Sequence, residues 1–167
     1  GWDADTMTFI GTIAGDIIGS AHELKGTRIK TTDFELFPAG VKFTDDTVMT
    51  IAITKWLNTL NSIPDNTDGL VAIMQEVGVK NMKVGYGHSF KEWLRSDNPQ
   101  PYNSLGNGSA MRVAAAGLFG LSLSDCQKIA RLAAEVSHNH PEGIKGAEAV
   151  ASAIRLAKSH RTKDTIK

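Results

Sequence analysis

The sequence predicts an all-α domain, and three observations carry that prediction. Apolar residues recur at intervals of three and four in block after block, the spacing that lines one face of a helix. The blocks are separated by clusters of Gly, Pro, Asn and Asp, which punctuate a chain between helices. No alternation of strand-like and helix-like segments occurs, so a parallel α/β sheet has no sequence support.

The first block runs from Met7 to Leu24, with Phe9, Ile10, Ile13, Ala14, Ile17, Ile18 and Ala21 on one helical stripe and Glu23 closing it. Gly11, Gly15 and Gly19 repeat along it. Each costs about 1 kcal/mol of helix propensity relative to Ala, which close approach by another helix or a ligand would offset. Lys25 to Phe43 has no period, and a connection of this length is often a lid or binding loop. Its Phe34 and Phe37 either pin the loop to the core or cover a ligand.

Phe43-Thr44-Asp45-Asp46-Thr47-Val48-Met49-Thr50 opens the next helix, whose stripe is Met49, Ala52, Ile53, Trp56, Leu57 and Leu60, running to about Asn61. One capping side chain suffices there, Thr44 or Asp46, and the dipole favours acidic residues in the first turn. Two carboxylates and two hydroxyls are more than a cap needs. The surplus oxygen donors point to a hard cation such as Mg or Mn.

A third helix is predicted from Pro64-Asp65 through Leu70, Ile73, Met74 and Val77 to about Gly78, and a short one from about His88 to Leu94. His88, among polar residues, reads as a surface or capping residue. Tyr102 to Ser109 is a second polar loop ahead of a buried-looking helix from Ala110 to Leu118. In it Gly106, Gly108 and Ser109 could form either an anion-binding nest of N–H groups or a tight turn. Arg112 reads as a surface charge or a clamp for a carboxylate. Ser122 or Ser124 begins a helix striped by Cys126, Ile129, Ala130, Ala133 and Val136. Pro141 suits the first turn of the next, whose inward face is Ala147, Val150, Ala151, Ile154 and Ala157. His138 and His140, at the junction, cap chain ends or contact a ligand ring.

Composition narrows the function classes. At 167 residues the chain fits one core. Eighteen basic and eighteen acidic residues cancel, so bulk charge draws it to neither nucleic acid nor an anionic membrane. Cys126 is the single cysteine, placed on an apolar stripe as core filling, which excludes an intrachain disulfide framework and a thiolate zinc site. The first residues carry Asp3 and Asp5 and no basic leader, and the longest apolar run, Val113 to Leu121, is too short to span a bilayer. A cytoplasmic protein without a membrane partner is the expectation. His88, His138 and His140 are too scattered for zinc, no Gly-x-Ser-x-Gly elbow is present, and no Gly-Lys-Ser/Thr follows the glycines.

Taken together, Gly15-Asp16-Ile17-Ile18-Gly19 with Glu23, Phe43 to Thr50, Ser104 to Arg112, and Ser137 to Gly143 resemble the ADP-ribosylglycohydrolase family in motif and in order. The resemblance implies an all-α orthogonal helical bundle and metal-dependent hydrolysis of the glycosidic bond linking ADP-ribose to a protein side chain or a related substrate. It implies that Thr44, Asp45 and Asp46 ligate a binuclear Mg2+ or Mn2+ centre, with Asp45, Asp46 and Glu23 in the catalytic machinery. Glu23 would guard the scissile bond from an acidic loop, and Asp16 would support the metal region from behind. Ser104, Asn107, Gly108 and Ser109 would line the diphosphate and ribose pocket, and His138 would contact the ribose or adenine side. The partner implied is an ADP-ribosylated protein or an ADP-ribose-like small molecule.

The family's C-terminal Gly-Asp-x-Asp-Thr-like motif has no counterpart before Lys167, since Asp164-Thr165 lacks the first Asp and the glycines. Residues 1–167 therefore resemble the front part of a family member, a single domain incomplete at its C-terminus and without the C-terminal helices. Apolar surface left uncovered would favour a homodimer. The alternative expectation is a non-catalytic ADP-ribose-binding or structural, crystallin-like protein.

Overall fold

A computed structural model describes residues 4–23, 29–159 and 162–166. Among these residues the chain is helical and contains no strand, as the periodicity predicts. The helices are α1 (Ala4–Ser20), α2 (Asp45–Leu57), α3 (Leu70–Val79), α4 (His88–Arg95), α5 (Ala114–Phe119), α6 (Leu123–Glu135), α7 (Pro141–Lys158) and α8 (Lys163–Ile166), with one 3-10 turn at Asn107–Ser109.

The core gathers where α2 packs on α3 and α5, and where α5, α6 and α7 pack on one another. Met49, Ala52, Ile53, Trp56 and Leu57 of α2 meet Leu70 and Met74 of α3, all fully or almost fully buried. Burial of each larger side chain in this set contributes about 1.5–3 kcal/mol before chain entropy is counted. Cys126 lies in the same core, its thiol pushed up by burial, which bears out its reading as filler.

Close backbone approach occurs at glycines other than the α1 row. A Cβ on Gly117 would sit 2.7 Å from the Ala151 carbonyl oxygen and from Ile154 Cβ, so α5 can lie against α7 only with glycine there. On Gly120 it would meet Cys126 Sγ at 2.6 Å. Gly11, Gly15 and Gly19, by contrast, have nothing within 4 Å of a built Cβ. The expected packing on that row is absent among the described residues, and Ile10 and Ile51 near it are about half exposed.

Several boundaries differ from the periodicity, each for a local reason. The first helix stops at Ser20, whose hydroxyl donates back to the Ile17 carbonyl at 2.7 Å, so Glu23 lies beyond the helix end; Leu24 falls outside the described residues. The predicted start at Pro64 comes later, at Leu70, because residues 64–69 wrap the Trp56 indole. Its N–H donates to the Asp68 carbonyl at 3.0 Å, and Gly69 turns the chain at φ 75°. The helix predicted from Ala110 begins at Ala114, since the 3-10 turn captures the N–H groups of Ala110 and Met111 on the Asn107 carbonyl. Ser122 rather than Ser124 caps α6, in a reciprocal capping box with Asp125. Of the loop aromatics, Phe34 packs edge-on against His22 with centroids 5.4 Å apart, while Phe37 is exposed.

Candidate functional site

The acidic turn before α2 is built on Asp16. Thr44, in extended conformation, caps the helix, its hydroxyl accepting from the Asp46 N–H at 3.3 Å. That same hydroxyl donates to Asp16 Oδ1 at 2.6 Å, and the Thr44 N–H donates to Asp16 Oδ2 at 2.8 Å. The Thr47 N–H donates to Oδ2 at 3.2 Å, and the Thr47 hydroxyl donates there too. Asp16 is thus a buried carboxylate whose charge is solvated by two threonines, a clamp that fixes the turn to α1. The "surplus" hydroxyls are spent on this clamp, and both carboxylates that follow are left free of it.

Those carboxylates stand in unfavourable company. Asp45, half-buried, forms no ion pair among the described residues; its N–H donates to the Val84 carbonyl at 3.1 Å. Burial, followed by the Asp16 charge among other contributors, raises its carboxyl above the usual range. Asp46 is pushed up to about 6 by burial, then by Asp45, Asp16 and Glu23. Glu23, exposed on the bend after α1, is raised by burial of part of its carboxyl, then by Asp16 and Asp45, with Lys42 opposing.

Behind Asp45 opens a cavity of about 350 Å³, edged by Asp45, Gly87, His88 and Phe90 on one side and by Tyr102, Ser104, Asn107, Gly108, Arg112 and His138 on the other. Ser104 shapes the loop: its hydroxyl accepts from the Gly106 N–H at 3.0 Å. Gly108 is glycine because the His138 imidazole occupies the space a side chain would take, with Nε2 2.5 Å and Cε1 2.8 Å from a built Cβ. Gly108→Ala must therefore displace either loop or ring, and should cost about 1–3 kcal/mol in urea unfolding, where an ordinary loop glycine would cost little.

The predicted site residues divide among three places. Asp45, Ser104, Asn107, Gly108 and His138 meet around the cavity. Glu23 and Thr44 instead border a neighbouring hollow of about 690 Å³ under residues 38–42, on the other flank of the turn, with Lys83, Val84 and Gly85. Asp46 and Ser109 line neither: Asp46 follows Asp45 in the first turn of α2, and Ser109 is buried, its hydroxyl donating to the Gly143 carbonyl at 2.8 Å and tying the loop to α7. The two histidines separate as well. His140 caps α7, its Nδ1 accepting from the Glu142 N–H at 3.1 Å, whereas His138 faces the cavity.

Two cavity residues carry no signal in the sequence, and a third, Arg112, plays a different part from the two expected of it. Phe90 and Tyr102 flank His138, with ring centroids 6.2 and 5.4 Å away, and nothing in their spacing distinguishes a pocket wall from core. Arg112 is neither surface charge nor carboxylate clamp. It is fully buried, bonded to the Ala133 carbonyl and the Ser137 hydroxyl, because α6 ends against it and leaves those acceptors facing inward.

In donor chemistry, Thr44, Asp45 and Asp46 suit a hard divalent cation, and burial together with the neighbouring Asp45, Asp16 and Glu23 charges makes the ionised Asp46 unfavourable, which a cation there would relieve. Among the described residues, no three His, Cys, Asp or Glu side chains converge into a ligand cluster, so the turn offers a share of a coordination shell. No described helix is long and apolar enough to cross a membrane.

Fold and cavity define a helical protein with a polar pocket that has a carboxylate at one edge and a buried guanidinium at the other. The chain belongs to the ADP-ribosylglycohydrolase family, whose model matches residues 6–167. It is 33% identical to ADP-ribosylhydrolase ARH3 of Homo sapiens over 175 residues, covering 88% of this chain and 48% of that protein. To the ARH3 proteins of Bos taurus and Mus musculus it is 32% and 30% identical, covering 88% of this chain and 47% of each. The chain spans about half the length of these curated relatives.

Proposed function

We propose that residues 1–167 form a single domain that takes part in metal-dependent hydrolysis of the glycosidic bond between ADP-ribose and a protein side chain or a related ADP-ribosylated substrate. The observation that carries this reading is the convergence of Asp45, the Ser104 to Gly108 loop and His138, distant in sequence, on one cavity. Family membership supports it, as does similarity to the ADP-ribosylhydrolases of Mus musculus and Homo sapiens.

Thr44, Asp45 and Asp46 would hold Mg2+ or Mn2+, a binuclear centre being complete only with ligands from beyond this turn. When bound, such a cation supplies Lewis-acid polarisation of the ligand. The chain's own residues do the rest. Asp16 holds the turn rigid through the threonines, so that Asp45 and Asp46 need not reorganise when a ligand arrives. Ser104, Asn107 and Gly108 orient the ADP-ribose, and Ser109 keeps their loop in place. Glu23, its carboxyl raised above the usual range by partial burial and by Asp16 and Asp45, would take up or return a proton from the neighbouring hollow.

Incubated with an ADP-ribosylated protein and Mg2+ or Mn2+, the protein should release ADP-ribose, and Asp45→Ala should reduce the rate at least about 100-fold. Undiminished release by that variant would remove Asp45 from the chemistry. A second reading, a non-catalytic ADP-ribose-binding or structural protein, is favoured by the incomplete ligand cluster. Calorimetry separates the two: ADP-ribose binding that is indifferent to metal, with no turnover, supports the second reading.

A further inference from the structure

A buried cation, with no carboxylate beside it among the described residues, sits in the cavity wall. Arg112 is 0% exposed, and among the described residues its Nε and Nη1 have no hydrogen-bond partner. Burial lowers it to about 10, and among the described residues no acidic side chain pairs with it. Only Nη2 is engaged, donating to the Ala133 carbonyl and, at 2.8 Å, to the Ser137 hydroxyl. Such a charge is costly to bury, and it stands where it touches one functional group of the cavity through a single intermediary.

That intermediary is Ser137, itself fully buried, with its Oγ 2.8 Å from His138 Nδ1. A guanidinium has no acceptor atom, so Ser137 Oγ must accept from Arg112. Among the described residues the hydroxyl hydrogen then has one acceptor within reach, Nδ1; if Nδ1 carried the proton instead, that hydrogen would be stranded in the interior. The proton of a neutral His138 is accordingly on Nε2. Among the described residues no group bonds Nε2, which lies beside Gly106 and Gly108 on the cavity wall.

We infer that Arg112 is a positioning residue: through the Ser137 hydroxyl it fixes His138 as a neutral ring presenting Nε2–H to the cavity, so the ligand atom seated there is a hydrogen-bond acceptor. The ligand part of this inference rests on the functional reading above; the proton relay does not. Arg112 and Tyr102 face the ring, with Asp45 and His88 lining the same cavity, and burial pushes the Tyr102 phenol up to about 12, so it stays neutral. Burial and the adjacent guanidinium together hold His138 down to about 4, which keeps the donor uncharged through the physiological range. A neutral donor suits a ribose hydroxyl or phosphate oxygen without adding a second cation to the pocket.

Nitrogen NMR of the full chain, 15N-labelled at histidine, tests the relay directly. His138 should show a protonated Nε2 and a bare Nδ1 from about pH 8 to about pH 5. Ser137→Ala, which removes only the hydroxyl, should let both tautomers populate and raise the pH of ring protonation by about half to one unit. Arg112→Met should raise it further, and if that variant does not fold the serine variant decides alone. A wild-type proton on Nδ1, or a Ser137→Ala spectrum identical to wild type, overturns the relay. ADP-ribose that binds by calorimetry should shift the Nε2 resonance, and binding that leaves it unmoved overturns the donor role. Absence of any ADP-ribose binding defeats the functional reading instead, and the ligand-free tautomer still decides the relay.

Discussion

Asp16→Ala should be the most damaging single substitution near the site, lowering unfolding stability by about 3–4 kcal/mol and the melting temperature by about 10 °C. The carboxylate accepts from two backbone N–H groups and two hydroxyls of the turn, and all of these donors are buried or nearly so. Alanine leaves them without an acceptor, and that desolvation penalty outweighs relief of repulsion toward half-exposed Asp45 and Asp46. Asp16→Asn separates the two effects. An amide oxygen in the Oδ2 position still receives Thr44 N–H, Thr47 N–H and the Thr47 hydroxyl. The Nδ2 group replaces one acceptor only, that for the Thr44 hydroxyl. Its cost should be about 1 kcal/mol. Equal losses for the two variants, measured by thermal and urea unfolding, would show that charge rather than acceptor count holds the turn.

The prominence of Asp16 shows what was legible in the chain. Helical periodicity placed α2, α4, α6 and α7 within a few residues, because each carries a continuous apolar stripe that packs on a neighbour. It misplaced the start of α3, where a tertiary contact, the Trp56 indole on the Asp68 carbonyl, overrides a Pro-Asp start signal. Likewise the glycine row of α1 signalled close approach, whereas the glycines that require it, Gly117 and Gly108, meet α7 and His138 from far along the sequence. Spacing reports what lies on one face of one helix, and says nothing of what faces it.

The site follows the same division. The oxygen-rich turn could be read locally because its cap and its carboxylates are neighbours in sequence. The Thr44 and Thr47 hydroxyls also donate hydrogen bonds to Asp16, 28 and 31 residues away, a partner that spacing does not reveal. Arg112 had no local signal for burial: its charge argues for the surface, and only the end of α6 supplies the acceptors that admit it. Glu23, placed with the catalytic residues by resemblance, lies on the far flank of the turn from the Ser104 to Gly108 loop. Its electrostatic coupling to Asp16 and Asp45 is what joins it to them.

Asp46→Asn should uncover an acid sensitivity that the native protein conceals. With a carboxyl raised to about 6, Asp46 binds a proton in the folded state before it does so in the unfolded chain, so it destabilises the ionised fold and stability recovers as pH falls from about 6 to about 4. His138 has the opposite sign. Held down to about 4, it stays neutral in the fold while the unfolded ring charges near 6.5, so stability is lost as pH falls between those values. The shift at His138 is worth about 3 kcal/mol, and that at partly exposed Asp46 about 1–2 kcal/mol after solvent screening. Asp45 and Glu23, raised as well, add to the carboxylate side. The opposing slopes nearly cancel in the native chain, whose urea midpoint should vary little between pH 7 and pH 5. Asn at position 46 removes the largest of the carboxylate contributions and lowers the repulsion on the others. The variant should be more stable than the native chain at pH 7 by about 1 kcal/mol and should lose that advantage by about pH 5. His138→Gln should do the reverse, gaining stability as pH falls across the same interval. Parallel pH profiles for the native and both substituted proteins would mean that neither group carries its shift in solution.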